Sequence, residues 1–165
     1  MSNNKTIVST AGKQLNMERI FNAPRQLVFE AWSKPEYLAR WWGPQGWTLP
    51  VCNVDFRVGG SWHYCIRGPE GEESWGKALY HEIVVPERIV YTDYFSDAAG
   101  TLSDQMPAAT TTMSFIEVDG KTKVSGRSEY PAVADLEKVI QMGMLDGMNE
   151  SLDRLDAALA ALSNA

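Results

Sequence analysis

The side chains able to do chemistry in this chain are aromatic before they are ionisable. Five of its six tryptophans fall between Trp32 and Trp62. Such a cluster makes either an unusually aromatic core or an aromatic-lined pocket. Trp62, Tyr64 and Ile66 alternate with His63, Cys65 and Arg67. The alternation puts the first three on one face of a strand and His63 on the other. Met113 and Phe115, on a later strand, are expected to join the Trp62 face. Trp41 and Trp42 precede Gly43-Pro44, where one ring could close a pocket mouth or both could pack helices on a sheet. Trp75, Tyr80 and His81 lie on a strand whose register the pattern does not fix. The chemistry of this set is recognition of an apolar or aromatic molecule, with Tyr64, Tyr80 or Tyr94 orienting it.

No set of nucleophile, base and orienting group is visible. The sequence has no G-x-S-x-G and no H-E-x-x-H. An acid–base catalyst would have to come from His81, Asp93 or Tyr94, because His63 alternates away from the aromatic face. Asp55 and Arg57, two apart, read as an ion pair fixing a hairpin rather than as a ligand clamp. Cys52 and Cys65 have no metal-site spacing and read as reduced core thiols. The residues imply no cofactor and no metal.

The balance of 15 basic and 21 acidic residues, a net charge of −6, argues against nucleic acid, which rewards clustered Lys and Arg. No apolar run approaches the roughly 18 residues of a membrane span, and the first residues lack the apolar stretch of a secretory signal. The expected location is cytoplasmic, with no membrane partner.

The positioning elements follow from pattern. Residues 1–12 read as a flexible N-terminus and 13–165 as a single domain. Gln14–Phe21 is a first strand. Pro24 opens one short helix and Pro35 another, the second stopped by Gly43-Pro44. Strands are expected over 47–54, from about 61, over 74–84, 88–95, 110–118 and 122–130, the last two joined at Asp119-Gly120. Residues 96–109 form a long loop that could gate a pocket. One long helix is expected from about Val133 to Leu162. Its apolar stripe includes Leu136, Ile140, Met144, Met148, Leu152 and Leu155. Gly143 and Gly147 lie near that stripe, which means either a close backbone approach or open space. The fold class is α+β: a curved antiparallel sheet of about seven strands around a long C-terminal helix, with a cavity between them.

A resemblance adds to this. The segments Arg19-Ile20-Phe21-Asn22-Ala23-Pro24, Val28-Phe29-Glu30-Ala31-Trp32, Trp41-Trp42-Gly43-Pro44, Asp55–Trp62 and Pro86-Glu87-Arg88-Ile89-Val90 come in order, followed by a Gly-bearing helix. Over about residues 14–160 the chain resembles the family named for the activator of heat shock protein 90 ATPase homologue. That family belongs to the START-like (SRPBCC) helix-grip superfamily of the birch-pollen allergen and polyketide cyclases. The resemblance implies a cavity-bearing domain. Where the family often has Gly-Trp in the last helix, this chain has Gly147-Met148.

The reading is a domain that binds a small apolar or aromatic molecule between sheet and helix. The expected ligand-binding residues are Trp42, Trp62, Tyr64, Trp75, Tyr80, Tyr94, Met113, Phe115, Met144 and Met148. An enzyme of cyclase or hydrolase type using the same cavity is the alternative, and a co-chaperone module comes third. A homodimer is one way to cover an exposed sheet face or edge.

Overall fold

A computed structural model describes residues 5–163. Eight strands form one antiparallel sheet: β1 (Ile7–Ala11), β2 (Gln14–Phe21), β3 (Thr48–Val54), β4 (Ser61–Arg67), β5 (Glu73–Val84), β6 (Arg88–Phe95), β7 (Ala109–Val118) and β8 (Lys121–Glu129). Their spatial order is β1-β2-β8-β7-β6-β5-β4-β3. Helices α1 (Arg25–Ser33) and α2 (Pro35–Trp41) follow β2, and α3 (Val133–Gln141) and α4 (Met144–Ser163) close the chain. This is the α+β helix-grip architecture expected from the sequence. Among the described residues no helix is long and apolar enough to cross a membrane.

The strands form where side chains alternate. In β2, Leu15, Met17, Arg19 and Phe21 are buried while Ile20 faces out. The β7–β8 hairpin turns at Asp119 (φ 51°) and Gly120 (φ 79°), the pair of left-handed residues that a tight two-residue hairpin turn requires.

Two expectations about the elements need correction. The sheet has eight strands because Ile7–Ala11, read as part of a flexible terminus, pairs with β2 from Ile7↔Glu18 to Ala11↔Gln14. Residues 1–4 of that expected terminus lie outside the described residues. The single C-terminal helix is two. Gly143 takes φ +89°, a left-handed conformation that ends α3, and α4 starts one residue later.

The core is correspondingly double. The larger cluster gathers α1, α2, the sheet and the far part of α4, including Phe29, Trp32, Trp41, Phe115, Leu152 and Leu155. The smaller one lies under α3, where Leu136 and Val139 meet Leu15, Ala109 and Tyr130. Trp41 donates its indole N–H to the Ala31 carbonyl at 2.9 Å, locking α2 on α1. Arg19, 5% exposed, reaches Asp153 at 2.9 Å and also pairs with Asp156, holding the end of α4 on the sheet. Arg57 binds both oxygens of Asp55 at 3.0 and 2.9 Å, so this pair fixes a bend, as expected.

Candidate functional site

Between the two core clusters lies a cavity of about 480 Å³. Its floor is the inner face of the sheet. Register places Leu15, Ser128 and Thr111 in one row, and Met17, Gly126 and Met113 in the next. Tyr91, Asp93 and Tyr64 extend the floor toward β4, and Tyr130 follows β8. The roof is the α3–α4 break with Met142, Gly143, Met144, Gly147 and Met148.

Trp42, Gly43 and Pro44 form the wall at the end of α2. α4 fixes them by polar contacts. The Gly43 N–H donates to Ser151 Oγ at 3.1 Å, and Arg154 Nη1 donates to the Gly43 and Pro44 carbonyls at 2.8 and 3.1 Å. A Cβ on Gly147 would meet only Pro44, at 3.7 Å, and one on Gly143 would meet nothing within 4 Å. The two glycines therefore mark open space, with the left-handed break as the added cause.

Of the ten expected residues, Trp42, Tyr64, Met113, Met144 and Met148 come together around this cavity with inward-facing positions. Trp75 and Tyr94 border it, but their side chains belong to the outer face. Trp75 pairs with Cys65 and stacks on His63 at 5.2 Å, and Tyr94 pairs with Lys77. Trp62, Tyr80 and Phe115 do not line it. Trp62 lies behind Trp42 and Tyr64, both 4.6 Å away. Phe115 packs on Phe29 and Trp32, and Tyr80 on Phe56 and Tyr91. All three face inward, Trp62 and Phe115 as expected and Tyr80 on the strand whose register was open, but the part of the inner face they occupy is filled.

His63 and His81 are on the outer side. The first contacts the Asp97 carbonyl through Nε2 at 3.0 Å, and the second contacts Thr92 Oγ1 at 2.7 Å. The start of the 96–109 loop is thus tied to the outer face, while Pro107 and Ala109 reach the cavity.

Asp93 is the one charged side chain lining the cavity among the described residues. It pairs with Ala78, which pairs with Trp62, so all three share the inner face. Tyr64 donates to its carboxylate at 3.3 and 3.4 Å, long for a charge-assisted contact. Among the described residues no Lys, Arg or His lines the cavity. Burial pushes the Asp93 carboxyl up to about 6, against a small opposing effect of the Tyr64 hydrogen bond. Burial, and then the charge of Asp93, push the phenols of Tyr64 and Tyr91 well up, and Tyr130 to about 12. Tyr64 reaches Asp93 because Gly76 stands opposite it: a Cβ there would fall 2.4 Å from the phenol. The expected ligand-binding set omitted Asp93, Tyr91, Tyr130 and Gly76. The available signal was an acidic residue in the otherwise uncharged run Ile89–Phe95, named above only as an acid–base candidate.

Solved structures share the overall fold. Protein Ms6760 from Mycobacterium smegmatis is 26% identical with a TM-score of 0.86, covering 94% of this chain and 97% of its own. A protein from Arthrobacter aurescens is 27% identical at 0.86, covering 94% and 91%. One from Staphylococcus epidermidis is 32% identical at 0.83, covering 93% of each chain. No curated protein matches the sequence. The family model described as activator of Hsp90 ATPase homolog 1-like protein matches residues 22–160, and the chain belongs to that family.

Proposed function

We propose that the chain is a cytoplasmic domain that binds a small apolar or aromatic molecule in the cavity between sheet and helices. The observation that carries this reading is a cavity of about 480 Å³, lined mainly by aromatic and Met side chains, left between two packed clusters. Its volume falls within the roughly 300–1,000 Å³ of small-molecule sites. Apolar burial, at roughly 25 cal/mol per Å², supplies the driving force. Met side chains in the roof adapt to irregular shapes.

Native mass spectrometry of freshly purified protein, followed by extraction and identification of any adduct, tests this reading. A defined adduct that disappears in Met148→Trp, with the fold intact, is the expected result. An adduct that survives the filled cavity places the binding elsewhere and overturns the assignment.

A second reading, catalysis of cyclase or hydrolase type, is favoured by one observation. Asp93 is a cavity carboxyl raised into the range where a proton is both held and released near neutral pH. Turnover of the extracted molecule, lost in Asp93→Asn, distinguishes an enzyme from a carrier.

A further inference from the structure

We propose that the molecule bound in this cavity carries a protonated amine, seated on Asp93 among the rings of Tyr64, Tyr91 and Tyr130. The inference rests on the ligand-binding reading above and adds the charge of the ligand. It follows from the polar groups that face the cavity. Among the described residues Asp93, from β6, is their one charge, and β2, β4, β5, β7, β8, α1, α2, α3 and α4 contribute none. Its neighbours are phenols, and the one hydrogen bond it accepts from a side chain is the long pair of contacts from Tyr64. A carboxylate in apolar surroundings needs opposite charge or strong donors, and this one has neither from the protein.

Three of the other side-chain hydroxyls on the cavity wall are already engaged. Thr111 and Ser128 share a hydrogen bond at 2.8 Å, and Ser151 accepts from the Gly43 N–H at 3.1 Å. Arg154, the nearest cation to the wall, spends its donors on the carbonyls of Arg40, Gly43 and Pro44 and does not line the cavity. A ligand carboxylate or phosphate would therefore meet a like charge and no cation. An ammonium would complete the hydrogen bonding of Asp93 and lie beside aromatic faces that attract cations.

Three probes of one shape and different charge test this by calorimetry at neutral pH: 1-naphthylmethylamine, 1-naphthalenemethanol and 1-naphthoic acid. The expected ranking is amine over alcohol over acid, with the amine tighter than the alcohol by about tenfold to a hundredfold. In Asp93→Asn the amine should fall to the affinity of the alcohol, while the alcohol is held as before. Alcohol binding equal to or tighter than the amine would overturn the proposal and leave the cavity reading standing. So would an amine preference unchanged in Asp93→Asn. Failure of all three probes to bind would overturn both. Should the variant not fold, the ranking in the natural chain decides alone.

Discussion

The inner face of the sheet has two ends built from the same kinds of residue. At one end Phe29, Phe56, Phe115 and Tyr80 meet edge to face, with neighbouring centroids from 5.2 to 5.9 Å, and Trp32 and Trp41 stand between that end and the cavity, which they border. At the other, Tyr64, Tyr91, Met113 and Met148 surround space. Hydrophobicity does not separate the two ends; what covers them does. The proline-started helices α1 and α2 lie tightly over the first end, and Trp41 is bonded into α1. The α3–α4 break lies over the second. Aromatic content alone therefore says little about where a ligand goes, and the continuity of the covering helix says more.

Substitutions sharpen this contrast. Phe115→Ala, in the filled end, should cost about 3–5 kcal/mol of stability, seen as a lower midpoint in denaturant with any ligand affinity reduced only through unfolding. Asp93→Asn should act in the opposite direction. Folding raises the Asp93 pKa from 3.8 to about 6, so the folded chain holds the extra proton between those values. Stability is greatest below the unfolded value and is lost as pH rises through the folded one. At neutral pH the variant should be more stable by on the order of 2–3 kcal/mol, and the fall in stability of the natural chain between about pH 4 and 6 should flatten.

Gly76→Ala should cost about 1–3 kcal/mol by displacing the Tyr64 ring, and the chemical shift of the Asp93 carboxyl should move with it. Met148→Ala, at the edge of existing space, should change the unfolding free energy by less than about 1 kcal/mol while weakening binding of an apolar probe. A loss comparable to that of Phe115→Ala would erase the distinction between the two ends.

Much of the fold was legible because period two and period 3.6 are strong signals. β2 runs over Gln14–Phe21, the expected span, and the Asp119-Gly120 turn lies where its residue types put it. The helix break was not legible: the apolar stripe continues every fourth residue from Leu136 through Leu152, so side-chain spacing conceals the backbone reversal at Gly143. β1 was missed because it is an edge strand with four of five residues exposed and little apolar alternation.

The site was read in part: Trp62, Tyr80 and Phe115 face inward where the space is filled, and Trp75 and Tyr94 face outward. Inward positions of β5 carry Gly76 and Ala78, while the large Trp75 faces out. On β6 the inward residue is Asp93 and the outward one Tyr94. Residue size does not mark the inward parity on either strand, because Tyr80 and Tyr91 face in while Trp75 and Tyr94 face out. The extra residue between Tyr80 and Glu82 then shifts the parity within β5 itself. Local rules fail here because a space and an acid replace packing.

The break at Met142–Gly143 also divides the cover of the cavity into two separately anchored segments. Each side is anchored separately: Leu136 and Val139 under α3, Leu152 and Leu155 under α4. The joint between them belongs to no strand pair and holds neither Leu136 and Val139 nor Leu152 and Leu155. A motion confined to that joint would fall among segment motions of roughly microseconds to milliseconds. A continuous helix over the same space would tie escape to global opening, which in small domains takes from under a second to days.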